Sequence, residues 1–320
     1  FIFFQILVWK ELKYIKNTFY SNGKLLITGE YLVLNGAKAL ALPTKFGQSL
    51  DVSSLVEKKI IWKSLDADKS IWFETELSFD DIVLRKDFEE EHAIKHTLVE
   101  ILHQANLQNP KFLASETGYK IETELTFPRN WGLGTSSTLI NNIAQWLQID
   151  AFELLRKSFG GSGYDIACAQ HNSAITYQLD TEEKPIVEVV DFTPNYTENI
   201  YFVYLNKKQN SRHAIQNYMN KQQFLNKKTA TISEITNRIV LSPNLETTTD
   251  LLEHHEIILS DILEMETVKE RLFSDFKGTI KSLGAWGGDF VMVLSKENPT
   301  NYFTSKGYDT ILKYAEMILI

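Results

Sequence analysis

Residues 128–138 read Pro-Arg-Asn-Trp-Gly-Leu-Gly-Thr-Ser-Ser-Thr and sit between an alternating run, 119–127, and an apolar-periodic run, 139–147. Ile121, Thr123, Leu125 and Phe127 alternate with Lys120, Glu122 and Glu124, which predicts a half-buried strand. The second run predicts a helix. The chain must therefore turn sharply from strand to helix across Gly132, Leu133 and Gly134. The helix would open on three hydroxyls, Thr135, Ser136 and Ser137. A helix N-terminus carries unpaired N–H groups and partial positive charge, so a glycine-rich approach to it can cradle phosphate. A hydroxyl placed there can cap the helix or ligate Mg²⁺. A capped helix after a glycine turn is the plainer reading of the same residues.

The chain has 320 residues, enough for two domains or one large one. Its net charge of −8 is interspersed rather than blocked, so no basic stripe suits it to nucleic acid. Small anionic substrates stay open, because a local basic pocket does not show in net charge. The single cysteine, Cys168, can form no internal disulfide and fits a reducing, cytoplasmic setting. The apolar run 1–9 is too short to span a bilayer and lacks a signal-peptide pattern. Residues 1–17 are read as an extension outside the fold, with a membrane-surface anchor as the lesser alternative.

Strand-like stretches are expected at 19–20 and 24–28, at 32–34 and 39–42 around a hairpin signal at Asn35-Gly36, and at 49–56, 59–64 and 70–75. A helix is expected over 88–106, and further helices over 136–147 and 151–158. Strands return at 173–179, 186–192 and 200–205. The pattern is mostly helical over 211–277, broken at Ser242-Pro243, then β around 279–295, with a closing helix at 309–317. This order suggests an α+β protein of two lobes, 18–196 and 197–320, with the site in the cleft between them.

Two more segments bear on function. Near the start, residues 22–34 read Asn-Gly-Lys-Leu-Leu-Ile-Thr-Gly-Glu-Tyr-Leu-Val-Leu. Near the end, residues 281–290 read Lys-Ser-Leu-Gly-Ala-Trp-Gly-Gly-Asp-Phe. With 128–138 they fall in the order and spacing of the three motifs of the GHMP kinases, named for galactokinase, homoserine, mevalonate and phosphomevalonate kinases. The chain resembles that superfamily over about residues 18–320. It looks closest to the mevalonate and phosphomevalonate kinases, through Gly-Lys-x-x-x-x-Gly-Glu-Tyr and Gly-Ala-x-Gly-Gly-Asp. Gly161-Ser162-Gly163-Tyr164-Asp165-Ile166-Ala167 resembles the Ser-Gly-x-Asp turn of mevalonate kinases and the Gly-Tyr-Asp-Ile-Ala signature of a bacterial subgroup.

The resemblance implies an ATP- and Mg²⁺-dependent kinase, a monomer or homodimer, acting on a small molecule: a mevalonate-type acid or its monophosphate, or else a sugar or homoserine. A ligand-binding protein without turnover is the reading from another class. Residues 132–137 would hold the nucleotide phosphates and Ser136 would reach Mg²⁺. Gly284, Ala285, Gly287 and Gly288 would pack beside that loop. Asp165 matches the catalytic base and Lys24 the lysine that steadies developing charge. A carboxylate and an ammonium converging on one hydroxyl form a sound activation pair.

Each has a plainer alternative. Asp165 suits an N-cap. Lys24 suits a solvated surface, and Glu30 either binds a cation or substrate or is a buried structural carboxylate. Lys207, Lys208 and Ser211 either meet a substrate anion or open a helix. The chain also departs from the pattern: Asn22 stands where Pro is usual, Thr135 is the first small hydroxyl of the second motif, and Trp286 replaces a Gly. Leu154, with Glu153 beside it, stands where mevalonate kinases place a Mg²⁺-binding Glu. His92 and His96, at helical spacing, and His254-His255 read as solvated helix faces, and Cys168 as packing. Neither a P-loop nor a Rossmann fingerprint occurs.

Overall fold

A computed structural model of the chain describes residues 16–89, 92–207, 218, 225–242, 244–284, 286 and 288–319. Strands β1 (Asn17–Thr28), β2 (Ala39–Leu55), β3 (Lys59–Leu65), β4 (Ile71–Ser78), β5 (Gly118–Leu125), β6 (Ile175–Leu179) and β7 (Pro185–Val189) form one seven-stranded sheet. β1 pairs antiparallel along β2, while β5 pairs with the second half of β2 and β6 with its first three residues. β8 (Ile200–Tyr204), β9 (Thr279–Ser282), β10 (Phe290–Leu294) and β11 (Ile311–Lys313) form a second sheet in the order β11-β8-β10-β9.

The uninterrupted apolar run in β1 has a simple cause. Successive strand side chains point to opposite faces, so a strand covered on both faces must be apolar throughout. Leu25 and Ile27, with Leu40 and Leu42 of β2, join the core shared with α6 (Leu225–Val240), α7 (Leu245–Leu263) and the second sheet. Leu26, with Ala39 and Ala41, faces the other way onto α5 (Tyr164–Ala169). A separate core gathers α1 (Phe79–Val83), α2 (Ala93–Gln108), α3 (Thr135–Leu147) and α4 (Ala151–Ser158) on the sheet around Trp62 and Ile143. The outer face of the second sheet is covered by Val268 of α8 (Val268–Leu272), Phe273, and Phe303 of α9 (Thr300–Ser305).

Most strand and helix expectations hold within a few residues, and three need correction. Leu32–Asn35 is a 3-10 turn, closed by Gly36 at φ 79°, and the β1–β2 connection is no tight hairpin. Leu32 and Val33 enter two different cores there, a demand that outweighs their strand preference. Residues 309–317 do not form one helix: β11 pairs with β8 and only α10 (Tyr314–Met317) is helical. Asn17, expected in the extension, is the first residue of β1 and pairs with Val52. His92, exposed, precedes α2 as its N-cap residue, and His96 lies 3.1 Å from Asp87 on the partly exposed face of that helix. Residues 1–15, Lys208, Ser211, Pro243, Ala285 and Gly287 lie outside the described residues. Among the described residues no helix is long and apolar enough to cross a membrane.

Candidate active site

β5 delivers the chain to the glycine loop, and a short 3-10 turn, Arg129–Trp131, ends at Gly132 with φ 72°. Gly132 must be glycine for a second reason: a Cβ there would lie 2.5 Å from Cγ of Asp289. Gly134, at φ 101°, is the N-cap of α3, and no side chain caps that helix. The first helical bond is donated by Thr138 N–H to the Gly134 carbonyl, 2.9 Å. The N–H groups of Thr135, Ser136 and Ser137 therefore have no partner within the helix and form the positive end of its dipole. The hydroxyls do not cap; Ser137 Oγ turns back to the Gly134 carbonyl at 2.9 Å.

β1 is fastened to this loop. Lys24 N–H donates to the Leu133 carbonyl at 3.0 Å, and Lys24 Nζ to the Gly132 carbonyl at 3.2 Å. Gly23 permits the approach, since a Cβ there would lie 3.0 Å from the Leu133 carbonyl oxygen. Asn22, in place of proline, uses its amide to bind the His171 carbonyl at 2.9 Å and Asn172 Oδ1 at 2.8 Å, tying β1 to the end of α5.

Asp165 lies in the first turn of α5, whose N-cap is Gly163 at φ 92°, so the N-cap reading of Asp165 does not hold. Its Oδ1 accepts from the adjacent Ile166 N–H at 3.2 Å, and the Ser137 side chain of α3 also hydrogen-bonds to the carboxyl. Burial pushes the Asp165 carboxyl above the ordinary carboxylate range, although the Lys24 ammonium pulls it down. Burial works against the charge on Lys24, but Tyr164, Asp165 and Asp289 outweigh it and leave that pKa raised. Lys24 Nζ is 5.7 Å from the Tyr164 ring centroid, within cation–π range.

These groups line one cavity of about 400 Å³: Lys24 and Glu30, Gly132, Gly134, Thr135, Ser136 and Ser137, Asp165, Gly284 and Asp289. Tyr164 and the loop 159–162 close another side. Four separate chain segments thus meet. Gly288 is buried in the turn next to Asp289, and Leu133 is buried in the core behind the loop. Leu154 is fully buried in the α-helical core and brings no carboxylate. Trp286 does not enter the cavity. Its ring packs in the core between the sheets while its backbone N–H donates to Tyr31 Oη at 3.0 Å.

Glu30 is 1% exposed and belongs to a second ionic group. Lys281 Nζ binds its Oε1 and lies 3.0 Å from Glu256 Oε1. His255 Nε2 accepts from Gly29 N–H at 2.9 Å and is held well below its ordinary pKa, by burial first and then by Lys281. His255 is therefore neutral and fully buried, not a surface residue; the end of β1 leaves an N–H that α7 must satisfy. Burial pushes Glu30 up to about 7 against the pull of Lys281. Lys281, Glu256, Asp289 and Tyr164 were given no role from sequence, and His255 was read as a solvated helix face. Only the Gly-Gly-Asp ending of the third motif hinted at Asp289.

No protein-family model and no curated protein matches the chain. Solved structures do. Mevalonate kinase of Methanococcus jannaschii is 15% identical, matched over 95% of this chain and 98% of that one, with TM-score 0.71. Phosphomevalonate kinase of Streptococcus pneumoniae, in complex with phosphomevalonate and AMPPNP, is 15% identical over 95% and 98%, TM-score 0.66. Galactokinase of Lactococcus lactis, complexed with galactose, is 14% identical over 98% and 97%, TM-score 0.63. At these identities the likeness is one of fold, and it covers nearly the whole chain: this protein has the two-lobed α+β fold of the GHMP kinases.

Proposed function

We propose that the chain is an ATP-dependent GHMP-type kinase that transfers the γ-phosphoryl group to a hydroxyl or phosphate acceptor of a small molecule. The uncapped α3 N-terminus, opening on the same cavity as Lys24 and Asp165, carries this reading. Phosphoryl transfer asks the protein chiefly for positioning and charge. The N–H groups of 135–137 would hold the phosphates, a fit supported by three unpaired donors and by glycines that clear their approach. When bound, the nucleotide supplies the phosphoryl group and Mg²⁺ offsets its charge, with Ser136 and a cavity carboxylate as the side chains that would hold the metal. Lys24, kept protonated by its acidic neighbours, would stabilise negative charge and not act as a base. Asp165, with a raised pKa, would orient the acceptor hydroxyl and take its proton.

A mevalonate- or phosphomevalonate-like acceptor is favoured by the first and third motifs and by the kinases of those names among the similar folds. A sugar is the second reading, favoured by the galactokinase likeness. Division at 196/197, a cytoplasmic setting and a monomeric or homodimeric state belong to the same proposal. Coupled ADP release over mevalonate, phosphomevalonate, homoserine and galactose tests it. Acceptor-dependent release with one of the first two is expected; release with none, alongside no nucleotide binding, contradicts it.

A further inference from the structure

We propose that Ser137 is a positioning residue for Asp165: with Asn141, one turn further along α3, it braces α5 and sets where the Asp165 carboxyl sits against the phosphate-binding end of α3. The inference rests on the phosphoryl-transfer reading of the same site. Ser137 is buried, and both it and Asp165 line the cavity. Its hydroxyl bonds the Asp165 carboxyl and also lies 2.9 Å from the Gly134 carbonyl as a donor. Asn141 follows Ser137 by four residues and so lies on the same face of α3. Its Oδ1 accepts from Gln170 Nε2 at 3.0 Å, and its Nδ2 donates to Ser21 Oγ at 2.8 Å. Asp165 is in the first turn of α5 and Gln170 is its C-cap, so α3 holds α5 at both ends. Ser21 donates on to Asn142 Oδ1 at 2.7 Å, and Asn142 Nδ2 donates to the Gln48 carbonyl at 2.9 Å, which ties the brace to β1 and β2.

Two features separate this arrangement from ordinary packing. Ser137, Asn141 and Asn142 are buried polar residues of one helix, and a buried polar group costs stability unless it is hydrogen-bonded. Apolar side chains in their places would press α5 onto α3 without directional restraint. Bonded hydroxyl and amide groups accept a narrow range of distance and angle, and so fix one arrangement. The second feature is the hydroxyl itself, which has one proton to give and lone pairs to accept with. An ionised Asp165 accepts the Ser137 proton. A protonated Asp165 donates to Ser137 Oγ, while Ser137 gives its own proton to the Gly134 carbonyl. The bond therefore survives the uptake of the acceptor's proton, and the carboxyl keeps its place through the transfer. The Lys24 ammonium also acts on this carboxyl, but it is shared with Asp289, and charge attraction alone sets no orientation.

Coupled ADP release with mevalonate, phosphomevalonate, homoserine and galactose measures kcat, and calorimetry measures AMPPNP binding. Ser137→Ala should lower kcat about ten- to a hundredfold, the scale of misplacing a reacting group. AMPPNP affinity should change less than about threefold, because the lost interaction serves the transfer and not nucleotide binding. A merely structural loss would lower the folded fraction and leave kcat per folded molecule unchanged. In an Asp165→Asn background, Ser137→Ala should cost less than about threefold, because residues that act as a unit do not add. Gln170→Ala, at an exposed position outside the cavity lining, should lower kcat by a smaller factor with AMPPNP affinity kept. Wild-type kcat in Ser137→Ala, or a loss as large in the Asp165→Asn background as in the wild type, overturns the inference and leaves the kinase reading standing. A wild type that turns over none of these acceptors overturns the inference, and one that also binds no AMPPNP overturns the kinase reading with it. Should Ser137→Ala not fold, Gln170→Ala decides: a lowered kcat with AMPPNP affinity kept supports the brace, and wild-type kcat overturns it.

Discussion

Lys281 and Lys24 both pair with carboxylates, and they are built for different ends. Lys281 is fully buried, shared between Glu30 and Glu256, and joins the end of β1 to β9 and α7. Lys24 is partly buried and lies on an open cavity, with the Gly132 carbonyl as its hydrogen-bond acceptor at 3.2 Å and Asp165 as its charge partner. The first has its charge consumed inside the protein, so it fixes the two sheets together. The second keeps donor capacity toward a cavity, so it can meet a ligand. A motif lysine next to a motif carboxylate is not enough to mark chemistry; what matters is whether space for a reactant adjoins the pair.

The sharpest way to break this comparison is to remove each ammonium. Lys281→Met leaves Glu30 and Glu256 buried without their cation and should cost about 3–5 kcal/mol of stability in urea denaturation. Lys24→Met should cost much less stability, because Asp165 has only to keep its proton, yet it should abolish most turnover. The reverse order of stability losses would collapse the distinction.

Asp165→Asn comes next. Turnover should fall about 10²-fold or more, the scale of losing a positioned acid–base group. The fold should survive, since an amide of the same size can still accept from Ile166 N–H and hydrogen-bond with Ser137. Steady-state kinetics with near-wild-type turnover would reduce Asp165 to charge balance for Lys24.

A smaller effect sharpens the account of Glu30. Its carboxyl is raised from 4.5 to about 7 in the folded protein, so the folded state holds this proton longer than the unfolded chain. Its contribution to stability is therefore full below pH of about 4.5 and is lost as pH rises through about 7. Glu30→Gln cannot titrate, so its urea midpoint should decline less than the wild-type midpoint between pH 5 and 8. Parallel pH profiles for the two proteins would show that Glu30 does not titrate there.

What was legible in the sequence was local. Glycine and hydroxyl chemistry announced the loop before α3, and the alternation over 119–127 announced β5. Lys24 and Asp165 were found through motif spacing. What was missed depends on tertiary contact. Lys281 is a charged residue in a four-residue strand buried on all positions, and nothing in its neighbours tells that two carboxylates await it. His255 reads as helix surface because its partner, Gly29 N–H, is 226 residues away. β11 was read as helix because its strand character comes from pairing with β8. Trp286 stands in a glycine-rich motif, and nothing local tells that its ring packs into the core between the sheets.

The central claim is that the open N-terminus of α3, Lys24 and Asp165 together form a nucleotide-phosphate site. Urea denaturation of the wild-type protein with and without Mg²⁺ and AMPPNP tests it most directly, because a ligand that binds only the folded state must raise stability by mass action. The account predicts a gain of about 2.7 kcal/mol at ligand a hundredfold above its dissociation constant, lost in large part in Lys24→Met. An unchanged denaturation midpoint at millimolar nucleotide and metal would contradict it.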